Sequence, residues 1–357
     1  SSLVQIVSNI VKSVLVFVLF SILPPKVYYL SAATLIAGIV TFVGNYFVTK
    51  KLFKDFGIEK RLFNFEKLIT LLKSGFWVLI SNISNLLLNG LDLLFSNWFI
   101  SSVMMGRLSL AKQIPLALSN ALGVFSNIFS SALTKVFATN GNNSLIDEAT
   151  EQLKILTIFF TVPYAGIIAY GKDFLKLWLK ATEYTESQYT EIYVLMILVL
   201  LDIIISTYMY SIHSVFIAID RVKVYSVILF VASLISMSVT LMLLKFTELG
   251  VYAIAGTSTI VLGFTHGVIV PGCAAKLLKK PIWLFWKSEL KSWISLAVMS
   301  TLFVAIKFFL ALDNWKHFFI SVMMVAVLGY LVLFFITFDK NEKSELIKII
   351  KDKMRKE

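Results

Sequence analysis

The side chains able to do chemistry are few, and most of them interrupt long apolar runs. Asn82, Asn85, Asn89, Asp92 and Ser96 recur at three- and four-residue steps among Leu, Ile, Phe and Trp. At 100° per residue they fall within roughly an 80° arc of one helix. Amides, a hydroxyl and a carboxylate in one stripe can exchange hydrogen bonds with a polar ligand in an aqueous cavity; the same stripe can also glue helices together. A second broad face carries Lys112, Ser119, Gly123, Ser126, Asn127 and Ser130, with Asn120 at its edge. Pro115 lies just after the lysine, where it is expected to kink or loosen the turn. Asp202, Ser206, His213 and Asp220 share a third face within roughly 40°. Gly256, Thr259, Gly263 and His266 share a fourth, and Gly263 with Gly267 permits close helix contact.

The candidate substrate-binding set is therefore Asn82, Asn85, Asn89, Asp92, Lys112, Asn120 and Asn127. Asp202, His213 and His266 are the ion-coupling candidates, since an ionisable group inside a membrane is costly unless it meets protein or water. A lone His213 reads as a packing histidine; sharing a face with Asp202 adds the proton-handling alternative. Arg107 is expected to snorkel to an interface. Lys112, one turn deeper, either faces a cavity or snorkels too. Asp220 and Arg221 read as an ordinary ion pair or helix cap.

Enzyme signatures are not met. Gly166, Gly171 and Lys172 mimic a phosphate-binding loop, but Asp173 replaces the Ser/Thr and no strand precedes it. Three scattered histidines give no metal-ligand spacing, and the single Cys273 rules out an intramolecular disulfide. No cofactor, metal or catalytic residue is expected.

The elements that must carry these stripes are membrane helices. Hydrophobic residues make up 58% of the chain and charged ones 15%, against roughly half and a quarter in soluble domains. A span needs roughly 20 apolar residues, and such runs occur at Val4–Leu23, Val27–Val48, Phe76–Phe99, Leu110–Phe137, Leu153–Gly171, Tyr193–Ala218, Val224–Leu244, Val251–Val270, Trp293–Leu312 and Phe318–Phe338. The fold class is all-α integral membrane protein with about ten transmembrane helices. The net charge of +12 comes from Lys clusters over 50–73, 276–291 and 340–356. It reads as a positive-inside signal placing the C-terminal tail in the cytoplasm, with Thr185 outside, and not as a nucleic-acid surface. Interfacial helices are expected around Phe174–Leu179, over the Trp-rich segment 276–291, and in the tail. Val4–Leu23 makes a poor signal peptide, and upstream sequence is expected to be missing.

The run Lys73-Ser-Gly75-Phe-Trp77, with Asn89-Gly-Leu-Asp92 and Met105-Gly106-Arg107-Leu-Ser-Leu-Ala-Lys112-Gln-Ile-Pro115, resembles bacterial O-antigen and capsular repeat-unit flippases of the multidrug/oligosaccharidyl-lipid/polysaccharide exporter superfamily. Gly171-Lys-Asp-Phe-Leu-Lys-Leu-Trp178 is similar to that family's loop between helices three and four of the second lobe. The resemblance implies two six-helix lobes around a central cavity, often with two extra helices, fourteen in all. On that plan residues 1–49 are the last two helices of the first lobe and 50–75 a basic cytoplasmic connector. Residues 76–275 are the six-helix second lobe, 276–338 an amphipathic connector with two additional helices, and 339–357 a basic tail; four preceding helices are absent. The implied activity is flipping of an undecaprenyl-pyrophosphate-linked oligosaccharide across the bacterial cytoplasmic membrane by alternating access, with Lys112 or Arg107 meeting the pyrophosphate. The implied partners are that lipid-linked substrate, the bilayer and other polysaccharide-assembly proteins. A cation-coupled multidrug exporter is the nearest alternative, and a membrane-embedded polymerase or ligase a more distant one.

Overall fold

The computed structural model describes residues 2–24, 26–52, 64–310 and 312–337. The chain divides into two compact units, Ser1–Thr70 and Leu71–Glu357. In the first, α1 (Ser2–Ile22) and α2 (Val27–Leu52) form an antiparallel pair. Ser8 Oγ donates to the Ala37 carbonyl at 2.6 Å and accepts from Thr41 Oγ1 at 2.8 Å, so small polar side chains hold two apolar helices together.

The helices that follow are α3 (Phe65–Asn85), α4 (Asp92–Phe99), α5 (Ser102–Trp178), α6 (Glu186–Ala218), α7 (Val222–Phe246), α8 (Val251–Phe264), α9 (Val270–Leu278), α10 (Trp283–Lys307) and α11 (Trp315–Thr337). Among the described residues, ten helical stretches are long and apolar enough to cross a membrane. The protein is a multi-pass, all-helical membrane protein. Many Leu, Ile, Val and Phe side chains stay exposed, Phe309 and Ile260 among them; in lipid that is a favourable face.

Helix ends follow local chemistry. Thr185 and Gln188 close a capping box on α6, with Thr185 N–H donating to Gln188 Oε1 at 2.9 Å. Ser101 Oγ accepts from Met104 N–H at 3.2 Å to start α5. Gly141, at φ 79° and ψ −166°, breaks α5 into two spans, a conformation essentially confined to glycine. The core is the contact of the second α5 span with α6 and α10. Tyr164 pairs with Thr207 at 2.5 Å, Tyr208 with Thr161 at 3.0 Å, and Thr157 with Ser292 at 2.6 Å.

Several boundaries differ from the sequence expectation. The third span starts at Phe65, eleven residues early, and closes in a π turn over Leu86–Gly90 instead of running to Phe99. Pro115 lies inside continuous helix, while the break at Gly141 falls, as expected, between the apolar runs Leu110–Phe137 and Leu153–Gly171. Phe174–Trp178 are the last turns of α5, not a separate interfacial helix, and the Trp-rich segment opens α10 directly. Both follow from the ease with which an apolar helix extends through an amphipathic end. The tail, 339–357, lies outside the described residues.

Candidate functional site

Within the second unit, α3, α6, α7 and α8 enclose a cavity of about 410 Å³. Asn82, Asn85 and Asn89 supply one wall, Ser206, Tyr210 and His213 of α6 another, Tyr225 of α7 a third, and His266 a fourth. Ser81 and Ser226, 2.8 Å apart, tie α3 to α7 beside it. Leu88, Leu229 and Leu262 pack together as an apolar cluster of the same helices.

The aromatic groups are ordered against one another. The His213 ring lies 4.1 Å from Tyr225, centroid to centroid, and Tyr225 is parallel to His266 at 6.5 Å. His266 is 4% exposed, and neither of its ring nitrogens is hydrogen-bonded within the protein.

Two π turns place two of these side chains. Asn89 stands in Leu86–Gly90 and His266 in Thr265–Ile269. A π turn holds one residue more than an α turn, and such turns concentrate at functional sites. The Gly267 carbonyl of the second accepts a hydrogen bond from Trp286 Nε1 at 2.8 Å. The first turn also splits the asparagine stripe. Residues beyond it fall out of phase with those before it, so Asp92 and Ser96 turn into packed protein, 7% and 0% exposed.

Asp92 and Lys112 are therefore not on the cavity wall. Lys112 Nζ donates to Asp92 Oδ2 at 2.7 Å and to the Asn89 carbonyl at 2.8 Å. The backbone of Asn89 thus belongs to the ion pair while its side chain belongs to the cavity. Asp202, at the middle of α6, is 5% exposed; its Oδ1 has no hydrogen-bond partner, and it feels the charges of both Asp92 and Lys112. Its expected neighbours Ser206 and His213 lie on the cavity instead.

The remaining candidates disperse. Asn120 is exposed on α5 and does not line the cavity. Asn127 lies in helix, but its side chain is outside the described set. Arg107, expected to snorkel, forms a largely buried ion pair with Glu191 of α6. Asp220 ends α6 in a left-handed conformation, φ 54°. Tyr210 and Tyr225 escaped the sequence reading, which ranked amides and charges above phenols. Among the described residues no cluster of three or more His, Cys, Asp and Glu could hold a metal ion.

Residues 1–140 match the family described as polysaccharide biosynthesis protein. Over 349 residues the chain is 21% identical to the uncharacterized membrane protein EpsK of Bacillus subtilis (strain 168), covering 98% of this chain and 68% of that one. Its fold is that of the lipid II flippase MurJ in the inward closed conformation, with TM-score 0.59 and 16% identity over 93% of this chain and 66% of that one. The chain spans about two thirds of the length of each of these two relatives. The likeness to MurJ establishes the fold alone.

Proposed function

We propose that this protein moves an undecaprenyl-pyrophosphate-linked oligosaccharide repeat unit from the inner to the outer leaflet of the bacterial cytoplasmic membrane by alternating access, with the C-terminal tail in the cytoplasm. Residues 1–49 act as the end of a first lobe, 76–275 as the second lobe and 276–338 as an additional helix pair. The observation that carries this reading is the amide- and aromatic-lined cavity inside a membrane-spanning bundle. Flipping requires sugars to be sheltered from hydrocarbon while the lipid tail stays in it. Amides donate and accept hydrogen bonds, as sugar hydroxyls do, and the flat faces of Tyr225 and His213 suit the apolar faces of sugar rings. The family match over residues 1–140 and the flippase-like fold support the same reading.

The pyrophosphate role once open to Lys112 and Arg107 is not retained, because Asp92 and Glu191 already hold those cations. Asn82, Asn85 and Asn89 remain as sugar-contacting groups, with His213 and His266 beside them. The test is a paired substitution, Asn82→Leu with Asn85→Leu. Both side chains are exposed on the cavity wall, so abundance should stay near normal. The rate at which a lipid-linked oligosaccharide becomes accessible to an impermeant lectin should fall at least about tenfold, the scale of losing one or two hydrogen bonds to substrate. An unchanged rate would remove the cavity from the mechanism. Extrusion of an organic cation with no movement of oligosaccharide would assign the protein to drug export instead.

A further inference from the structure

The cavity has a property that its polarity hides: it is uncharged. Its polar lining consists of Ser81, Asn82, Asn85, Asn89, Ser206 and the Tyr and His rings. Among the described residues no Lys, Arg, Asp or Glu lines it. The protein has 33 Lys and Arg residues, so cations are plentiful elsewhere.

The charges nearest the wall do not compensate. Asp92 and Lys112 neutralise each other (−1 + 1), and the buried Asp202 brings no positive charge. Lys112 is bonded to the backbone of Asn89, whose side chain lines the cavity. Asp202 precedes the lining Ser206 by one helical turn. The buried side chains of α7 and α8 add no countercharge. The buried side chains of α8 and of α7 include Thr257, Ser258, Ser226 and Ser233 as polar groups, and none is a Lys, Arg, Asp or Glu. Arg107 is committed to Glu191. The cations that flank the lining residue Val222, namely Arg221 and Lys223, are exposed and do not line the cavity, Lys223 lying over the Trp77 ring.

A carboxylate sugar entering this space would lose water without gaining a cation from the lining. Burying an unpaired charge is among the costliest events in recognition. A hydroxyl or acetamido group meets amides and imidazole nitrogens that both donate and accept. Both ring nitrogens of His266 are buried, so the groups most open to such a sugar are the exposed amides of Asn82, Asn85 and Asn89.

We infer that this cavity selects uncharged sugars, neutral hexoses and N-acetylated amino sugars, and discriminates against uronic acids and other carboxylate sugars. The inference rests on the flippase reading for its substrate, but the binding half of its test does not depend on transport.

Two measurements decide it. In saturation-transfer magnetic resonance on the purified full chain, N,N′-diacetylchitobiose should show contact and a glucuronate-containing disaccharide of equal size should not. In reconstituted vesicles, a lipid-linked oligosaccharide ending in neutral sugars should cross at least about tenfold faster than its uronate-bearing counterpart, equivalent to about 1.4 kcal/mol of discrimination. Asn85→Arg adds a cation to the exposed wall and should narrow or reverse both preferences. Asn85→Gln enlarges the same side chain without adding charge, and an equal change of preference there would mark packing, not charge, as the cause of the Asn85→Arg effect and overturn the inference. Equal or stronger contact and transport of the uronate form by the unaltered protein would overturn the inference. So would an Asn85→Arg protein, normally abundant, with unaltered preference. If neither lipid-linked form crosses while the disaccharide preference holds, the flippase reading fails and the selectivity of the cavity stands.

Discussion

At the scale of single residues, the pairing of Lys112 with Asp92 reorders the site. Sequence periodicity put both on polar stripes, and it correctly marked them as groups that must meet something other than lipid. It did not reveal that they meet each other, since a contact between residues 20 positions apart leaves no periodic trace. A buried pair that loses one partner strands a charge, at a cost of about 3–5 kcal/mol, whereas replacing both by apolar groups is often neutral. Asp92→Leu alone should therefore destabilise the detergent-solubilised protein by about that amount. Asp92→Leu with Lys112→Met should recover most of the loss in the same unfolding measurement. Equal losses in the single and double variants would show that the two side chains contribute independently. The asparagines were more legible: Asn82 and Asn85, which precede the π turn, and Asn89, which stands in it, all line the cavity.

Element by element, hydrophobic run length carried most of the fold. Ten helices could be read because hydrocarbon leaves a chain few alternatives to a helix that satisfies its own backbone. What escaped were departures from α geometry. Pro115 looks like a break in the sequence and is none, whereas Gly141 supplies the conformation that separates two spans of α5. A left-handed, extended backbone of this kind costs of order 1–3 kcal/mol for a residue with a Cβ. Gly141→Ala should lower the unfolding free energy by that amount, while Gly38→Ala, at a glycine with open space around it and ordinary helical backbone, should be neutral or slightly stabilising. Comparable effects at the two sites would remove the special role of Gly141. The two π turns had no sequence signature at all, because five residues in such a turn use the same side chains as five in an α turn.

For the whole molecule, orientation is the property that follows from charge. Thr185 and Lys276 are separated by α6, by α7 and by the α8–α9 span, so they must lie on opposite faces of the bilayer. On the proposed orientation the lysine-rich segment 276–291 puts Lys276 on the cytoplasmic side. With Cys273 replaced by Ser, an impermeant thiol reagent on intact cells should label Thr185→Cys and leave Lys276→Cys unmodified; the reverse pattern would invert the assignment. Arg107 with Glu191, Lys172 and Lys176 with Glu186, and Lys307 with Asp173 all gather at the Thr185 end. The positive-inside reading thus separates an outer end whose charges are mutually neutralised from an inner end whose lysines face lipid phosphates.

The π turn at Leu86–Gly90 also bears on how the length of this chain can change. Such a turn is an α-helix that has absorbed one additional residue without rotating what lies on either side. A chain one residue shorter within 86–90 would close into plain α-helix, with Asn82 still on the cavity and Asp92 still against Lys112. The same deletion in the middle of α7 would turn every later side chain of that helix by about 100° and carry its buried serines into lipid. Two places in this bundle can thus gain or lose a residue at little structural cost, and both are where the cavity gets its polar groups.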